Sequence, residues 1–358
     1  MAKEKLDYLK ASKVKSLVKD CDWLLLLGER SNGKSFASKE FIFNECWKKK
    51  RKFIYLRRYD LDVKDNLCSR YFANVPIESI TNGEYTHIDV YRKTIYLSTY
   101  DEEKAKMKHG PAIGYCVPLN NDERIKSLVY DDVDFLLFEE IISKDGRYLY
   151  NEPDRLQNVC SSIFRQRKAN VIMIGNTISR QCVYYREWKL DKIKKQKLGT
   201  CDRYLFKNDN GDDTRLSVYL TDSLNFNSGM FFGLSANSIT KGAYEVSRQP
   251  HLPKHIKSYK ILYSFVLEHY DFKYLCELLE DNETNEIMWY VQPKTTEIKE
   301  KTRVISKQFN PSFYYSRNLR DCVNENEKRI FSLFKRNKVC FSDNLTGTEF
   351  NDIIEEYL

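Results

Sequence analysis

The stretch Gly28-Glu29-Arg30-Ser31-Asn32-Gly33-Lys34-Ser35 follows the apolar run Trp23-Leu24-Leu25-Leu26-Leu27 and opens into a segment that reads as helix. Its spacing is G-x-x-x-x-G-K-[ST], the pattern of a phosphate-binding loop. Glycines at its ends let the backbone curl, so that the N–H groups of Arg30, Ser31 and Asn32 and their neighbours point at phosphate oxygens. Lys34 can reach the β- and γ-phosphates as a mobile point charge. Ser35 can give its hydroxyl to Mg²⁺ at the helix start, where the dipole also favours an anion. The competing reading is an ordinary glycine-containing strand-to-helix turn. A buried-type strand before the loop and a helix after it favour the phosphate loop.

A second stretch sharpens this reading. Val133-Asp134-Phe135-Leu136-Leu137-Phe138 is a buried-type strand that ends in Glu139-Glu140. In phosphate-loop enzymes a strand beside the loop ends in an acid that holds Mg²⁺. The next carboxylate can orient the attacking water or take its proton. Glu139 is therefore the expected metal-side acid and Glu140 the expected general base. Two solvated acids capping a strand are the plainer alternative.

The remaining candidates sit at element ends. Residues 153–167 read as a helix with Leu156, Val159, Cys160, Ile163 and Phe164 on one face. It ends in Arg165-Gln166-Arg167, and an arginine such as Arg165 at a subunit edge could serve a neighbour's site. The strand Val171–Gly175 ends at Asn176, an amide placed to sense a γ-phosphate. Phe53–Leu56 is a short strand followed at once by Arg57-Arg58, which could sense nucleotide, steer DNA or form surface pairs. The basic run Lys48–Lys52 reads first as a solvated helix end and second as a nucleic-acid contact.

Composition bounds the class. The chain has 358 residues, a formal charge of +8, 42% hydrophobic and 14% aromatic residues, which suits two domains with real cores and polyanionic partners. Ten cysteines occur without a C-x-x-C pair, so zinc is not expected and the thiols read as reduced and mostly buried. There is no apolar stretch of about twenty residues and no secretory leader pattern, so neither a membrane span nor export is expected. The alternation of strands and helices through residue 220 predicts an α/β domain over 1–220. The Gly-, Ser- and Asn-rich texture of 221–254 predicts a linker domain. Strands at Ile261–Glu268, Phe272–Leu279 and Glu286–Val291, followed by a helix near 318–335, predict a small α+β domain over 255–358.

Taken in order, these stretches resemble the genome-packaging ATPases of the small, short-tailed, protein-primed phages. The resemblance rests on the phosphate loop, Phe53-Ile54-Tyr55-Leu56-Arg57-Arg58-Tyr59, Cys116-Val117-Pro118-Leu119 and the acid-ended strand. It continues through Phe164-Arg165-Gln166-Arg167, Gly175-Asn176, Asp222-Ser223-Leu224-Asn225-Phe226 and a C-terminal meander from about Tyr259. One departure is Glu139, where the family usually has Asp.

The resemblance implies a terminase-like P-loop NTPase of the additional-strand, catalytic-Glu (ASCE) type, with a doubly wound, mostly parallel sheet. A linker domain and an RNase H-like C-terminal domain without nuclease activity would follow. It implies a ring of five subunits on the portal of a procapsid in the host cytoplasm, driving double-stranded DNA inward with ATP and Mg²⁺. A structural RNA is a further candidate component. By position, Lys34 and Ser35 would hold phosphate and metal, Glu140 would activate water, Arg165 would act on the neighbour's ATP and Asn176 would couple nucleotide state to motion. The loop Ser143-Lys144-Asp145-Gly146-Arg147 is the candidate DNA-channel loop, with Lys144 and Arg147 as its cations and Arg57 and Arg58 as weaker candidates. The alternatives are a P-loop nucleotide kinase and a non-catalytic, nucleotide-dependent scaffold.

Overall fold

The structure is a computed structural model. It describes residues 8–121, 130, 132–143, 147–165, 167–177, 182–207, 213–222, 246–270, 272–299, 301–311, 314–319, 332–334, 336, 338–354 and 356–357. By its contacts the chain divides into two units. One holds Met1–Ile178 and Val183–Met230, and the other holds Tyr244–Leu358.

The first unit is built on a nine-stranded sheet of order β3-β4-β5-β2-β6-β7-β1-β9-β8. Its strands are β1 (Trp23–Gly28), β2 (Lys52–Arg57), β3 (His87–Tyr91), β4 (Thr94–Asp101), β5 (Lys106–Pro118), β6 (Val133–Glu139), β7 (Asn170–Asn176), β8 (Cys201–Lys207) and β9 (Asp213–Leu220). The six from β5 to β9 in the middle run parallel, through pairings such as Leu25↔Met173 and Leu137↔Ile172. β3, β4 and β8 add antiparallel edges.

Helices are α1 (Ala11–Lys19), α2 (Lys34–Lys49), α3 (Asp65–Phe72), α4 (Ile77–Ile80), α5 (Glu152–Phe164) and α6 (Val183–Glu187). Unbroken apolar strands such as β1 fit a sheet covered on both faces. Leu24, Leu26, Phe53, Tyr55, Phe135 and Leu137 pack in one core with α1 and α2. The alternate residues, including Leu25, Leu136 and Phe138, are buried on the other face, where α5 presents Leu156, Val159 and Ile163. Each such side chain adds ~1.5–3 kcal/mol of hydrophobic stabilisation.

Placing β7 between the loop strand β1 and the acid strand β6 is the ASCE arrangement. It brings together the C-terminal ends of β6, β7 and β1, where Gly28 is in register with Asn176 and Glu139 with Ile174. The basic run closes α2, with Lys50 as its left-handed cap and Lys48 and Lys49 in the last turn. Lys49 pairs with Glu45, Arg51 with Asp134 and Lys52 with Asp132, so much of the run is neutralised within this unit. Thr221 also belongs to it, since its N–H donates to Leu27 O at 2.9 Å.

The second unit is a six-stranded sheet of order β14-β13-β10-β11-β12-β15. Its elements are β10 (Tyr259–His269), β11 (Phe272–Asp281), β12 (Ile287–Pro293), β13 (Arg303–Ser306), β14 (Tyr314–Ser316), β15 (Val339–Phe341) and helix α7 (Asn344–Ile354). β10–β11–β12 form an antiparallel meander, and β13 and β14 follow parallel to β10. That topology is the RNase H-like one implied above. Residues 246–254 pack here: Gln249 N–H donates to Asn344 Oδ1 and Phe341 N–H to Pro250 O. The expected boundary at 254 thus moves earlier. Residues 223–245, the middle of the expected linker domain, lie outside the described residues, as does most of the expected helix near 318–335. Among the described residues no helix is long and apolar enough to cross a membrane.

Candidate phosphate-loop site

The loop leaves β1 at Gly28, whose φ is +151°, and enters α2 at Gly33, whose φ is +92°. A Cβ on Gly28 would lie 1.9 Å from Thr221 Oγ1. Glycine is therefore required there by contact as well as by φ. Lys34 is buried, and its ammonium donates to Gly28 O (3.1 Å), Glu29 O (2.5 Å), Asn32 Oδ1 (3.1 Å) and Asn176 Oδ1 (3.3 Å). Burial lowers its pKa to about 8, partly offset by Glu139 and Glu29. The loop thus holds one desolvated cation beside the open first turn of a helix, which is an anion site.

Glu139 and Glu140 diverge from the end of β6. Glu139 is buried, and Tyr71 on α3 donates its hydroxyl to Glu139 Oε1 at 2.5 Å. Ser35 lies close enough to the same hydroxyl to offset part of the rise in its pKa. Ser35 and Glu139 are thereby gathered around one point, and oxygen donors of this kind fit a hard cation such as Mg²⁺. Lys39, one helical turn beyond Ser35, feels the Glu139 charge, and burial lowers its own pKa to about 8.

Glu140 has a left-handed backbone, with φ +59°. That turns its side chain out of the strand direction into the cleft. There it accepts from Arg57 Nη2 at 2.6 Å. Arg58 is buried and bidentate to Glu152 at 2.7 and 2.9 Å, and it also donates to the Glu140 and Ile141 carbonyls. Tyr184 and the Leu149 N–H complete the contacts of Glu152. The two arginines expected as weaker DNA contacts are thus engaged with the acid strand and the start of α5.

Two clefts meet at the loop. One, of about 470 Å³, is lined by Arg30, Arg57, Glu139, Glu140 and Arg147 among others. The other, of about 1050 Å³, lies between the loop and the N-terminal segment Tyr8–Ser12. Asn176 lines both. The N-terminal wall is fixed by the Leu9 N–H, which donates to Asn32 O at 3.0 Å. Sequence reading passed over this wall, as it did Tyr71, Lys39 and Glu152.

Arg165 is elsewhere. It follows α5 and lines a cleft with Trp23, Val171 and Leu216, at the starts of β1, β7 and β9. The loop lies at the other end of β1, a strand length of about 20 Å away at the usual rise per residue. Arg167 caps α5 instead, donating to the Ile163, Phe164 and Tyr130 carbonyls. Arg147 is exposed at the mouth of the smaller cleft, whereas Lys144 lies outside the described residues. In the second unit Glu268 is held by Lys273 (3.0 Å) and Asn310 (2.7 Å). No cluster of three or more His, Cys, Asp or Glu that could hold a metal occurs among the described residues.

Comparison with known proteins bears on the family and the fold. The model of the Podovirus DNA encapsidation protein (Gp16) family matches residues 6–198. The DNA packaging protein of Bacillus phage phi29 is 28% identical over 162 residues, 43% of this chain and 42% of the relative. That of Bacillus phage B103 is 28% identical over 161 residues, 43% and 44% of the two chains. The matched region therefore spans less than half the length of these curated relatives. Among solved structures, a chain of the bacteriophage Phi-29 viral genome packaging motor assembly gives a TM-score of 0.59 at 20% identity, covering 98% of this chain and 100% of that one. A chain of the Phi-28 gp11 DNA packaging motor gives 0.51 at 17% identity, with 98% and 99% coverage. These two likenesses establish the fold over both units.

Proposed function

The chain belongs to the Podovirus DNA encapsidation protein (Gp16) family, and on that premise we propose that it is an ATPase subunit that drives double-stranded DNA into a viral procapsid. The observation that carries this is that Lys34 and Ser35 line one cleft and the Glu139–Glu140 pair another, with Asn176 lining both and bonded to Lys34. The adenine and ribose would lie in the larger cleft against Tyr8–Ser12. The phosphates would follow the loop toward the smaller cleft, replacing the carbonyls now around Lys34.

In the hydrolytic step a water oxygen attacks the γ-phosphorus, the bond to the ADP oxygen breaks, and the water proton passes to Glu140. Arg57 holds the Glu140 carboxylate before the step. Asn176, at the junction of the clefts, reports whether the γ-phosphate is present. Ser35 and Glu139 would hold Mg²⁺, which supplies charge neutralisation on the phosphates.

Arg165 lies near the opposite end of the strands from its own loop, and in the role the family resemblance implies it serves the ATP of a neighbouring subunit. Such a cation contributes about 10³–10⁵ in rate in comparable enzymes. The working form is accordingly a ring, five-membered by family resemblance, seated on a procapsid portal in the host cytoplasm, with a structural RNA as a candidate component. DNA is held through its phosphates with little base reading. The loop 143–147 is the proposed grip, and its end residues Ser143 and Arg147 line the smaller cleft with Glu140.

The test is ATP hydrolysis with and without double-stranded DNA, together with the mass of the assembled particle. Free phosphate release stimulated by DNA is expected. Phosphate transfer to a nucleotide acceptor, or turnover indifferent to DNA, would overturn the proposal.

A further inference from the structure

Tyr71 belongs to none of the sequence motifs, yet it joins the two oxygens on the metal side of the site. Its ring stacks on Tyr55, with centroids 4.7 Å apart and planes at 22°. Lys39 Nζ stands 4.0 Å from the ring centroid on a base of its own, donating to Tyr71 O and to Asn74 Oδ1. The ring is therefore held by an aromatic stack and by a cation, which fixes where its hydroxyl sits. From there it donates to Glu139 Oε1 at 2.5 Å, with Ser35 near enough to act on the same hydroxyl.

Glu139 has one more rotatable bond than an aspartate would, so its carboxylate needs an outside anchor to occupy one place. We propose that Tyr71 is a positioning residue, which sets the Glu139 carboxylate against Ser35 for the divalent cation that accompanies the nucleotide. The proposal rests on the nucleotide-site reading above. Tyr71 touches neither substrate nor reacting atoms. It acts through Glu139, as outer partners of metal-holding groups do.

The experiment is binding of a fluorescent ATP analogue to the full chain, in EDTA and then across a Mg²⁺ titration. Tyr71→Phe keeps the ring stack and removes only the hydroxyl. Its binding in EDTA should stay within about twofold of the parent, while the Mg²⁺ concentration giving the half-maximal gain in affinity should rise about 10–100-fold. Glu139→Asp draws the carboxylate back by one methylene from the hydroxyl and should show the same rise. Adding Tyr71→Phe to Glu139→Asp should then add little, because both remove one contact.

A parent-like Mg²⁺ titration for Tyr71→Phe, an equal loss in EDTA, or additive single effects would each overturn the proposal. If Tyr71→Phe does not fold, Glu139→Asp decides, and a parent-like titration there overturns it. A parent that binds no nucleotide at all would instead overturn the phosphate-loop reading and this proposal with it.

Discussion

Arg57 and Arg58 leave the same end of β2 and enter two ion pairs of opposite character. The Arg58–Glu152 pair is shut away, with side-chain exposures of 9% and 0%. It is bidentate and is backed by two main-chain carbonyls and a tyrosine hydroxyl. The Arg57–Glu140 pair has exposures of 17% and 62% and a single short contact. Burial makes a pair costly to break, because either charge left alone is desolvated. Exposure leaves a pair cheap to break. The first pair therefore fastens α5 to the acid strand permanently, while the second can release Glu140 for chemistry. The strand end that carries the proposed base thus has a rigid half and a releasable half.

Glu140→Gln should separate the halves most sharply. Hydrolysis should fall by about 10²–10⁴, the usual contribution of a positioned base, with nucleotide binding and thermal stability near the parent's. Phosphate release at the parental rate would remove Glu140 from that role. Arg58→Ala should act on the rigid half, lowering unfolding free energy by about 3–5 kcal/mol, as read from the denaturant midpoint. A loss below about 1 kcal/mol would mean the buried pair does not fasten α5.

Lys34 offers a finer probe. Burial lowers its pKa to about 8, so above pH 8 the free protein has lost the proton that phosphates require. Nucleotide affinity should hold below pH 8 and weaken by up to about tenfold per pH unit above it, with proton uptake on binding. A flat affinity through pH 9 would contradict this. Arg57→Ala should have the smallest effect on stability, about 0–1 kcal/mol. Freed of its partner, Glu140 should raise the basal hydrolysis rate and lower the ratio of DNA-stimulated to basal rate. An unchanged ratio would show that the pair does not restrain the base.

Much of the parallel core was legible because its signals are local. Apolar runs marked β1, β2, β6 and β7, the period of 3.6 marked α5, and glycine spacing marked the loop. The pairings were not legible because they are distant in the chain. Arg58 meets Glu152 across 94 positions, and Tyr71 meets Glu139 across 68. Nothing in one sequence says which charges face each other, so nucleotide sensing, DNA contact and surface pairing all stayed open for Arg58, which is paired with Glu152 out of solvent. Helix α7 carried a signal that passed unread. Asp343 accepts from the Thr346 N–H at 2.8 Å as its cap, and Phe350, Ile353 and Ile354 are spaced for one buried face.

The central claim is that the site is completed by a neighbour, because Arg165 and the loop lie at opposite edges of one sheet. Mixing Lys34→Ala subunits with Arg165→Ala subunits tests it most directly. The first has a dead loop but a sound arginine, and the second the reverse. DNA-stimulated hydrolysis absent from each alone should return in the mixture, where an intact loop meets its neighbour's Arg165. A mixture as inactive as its two components would contradict the account.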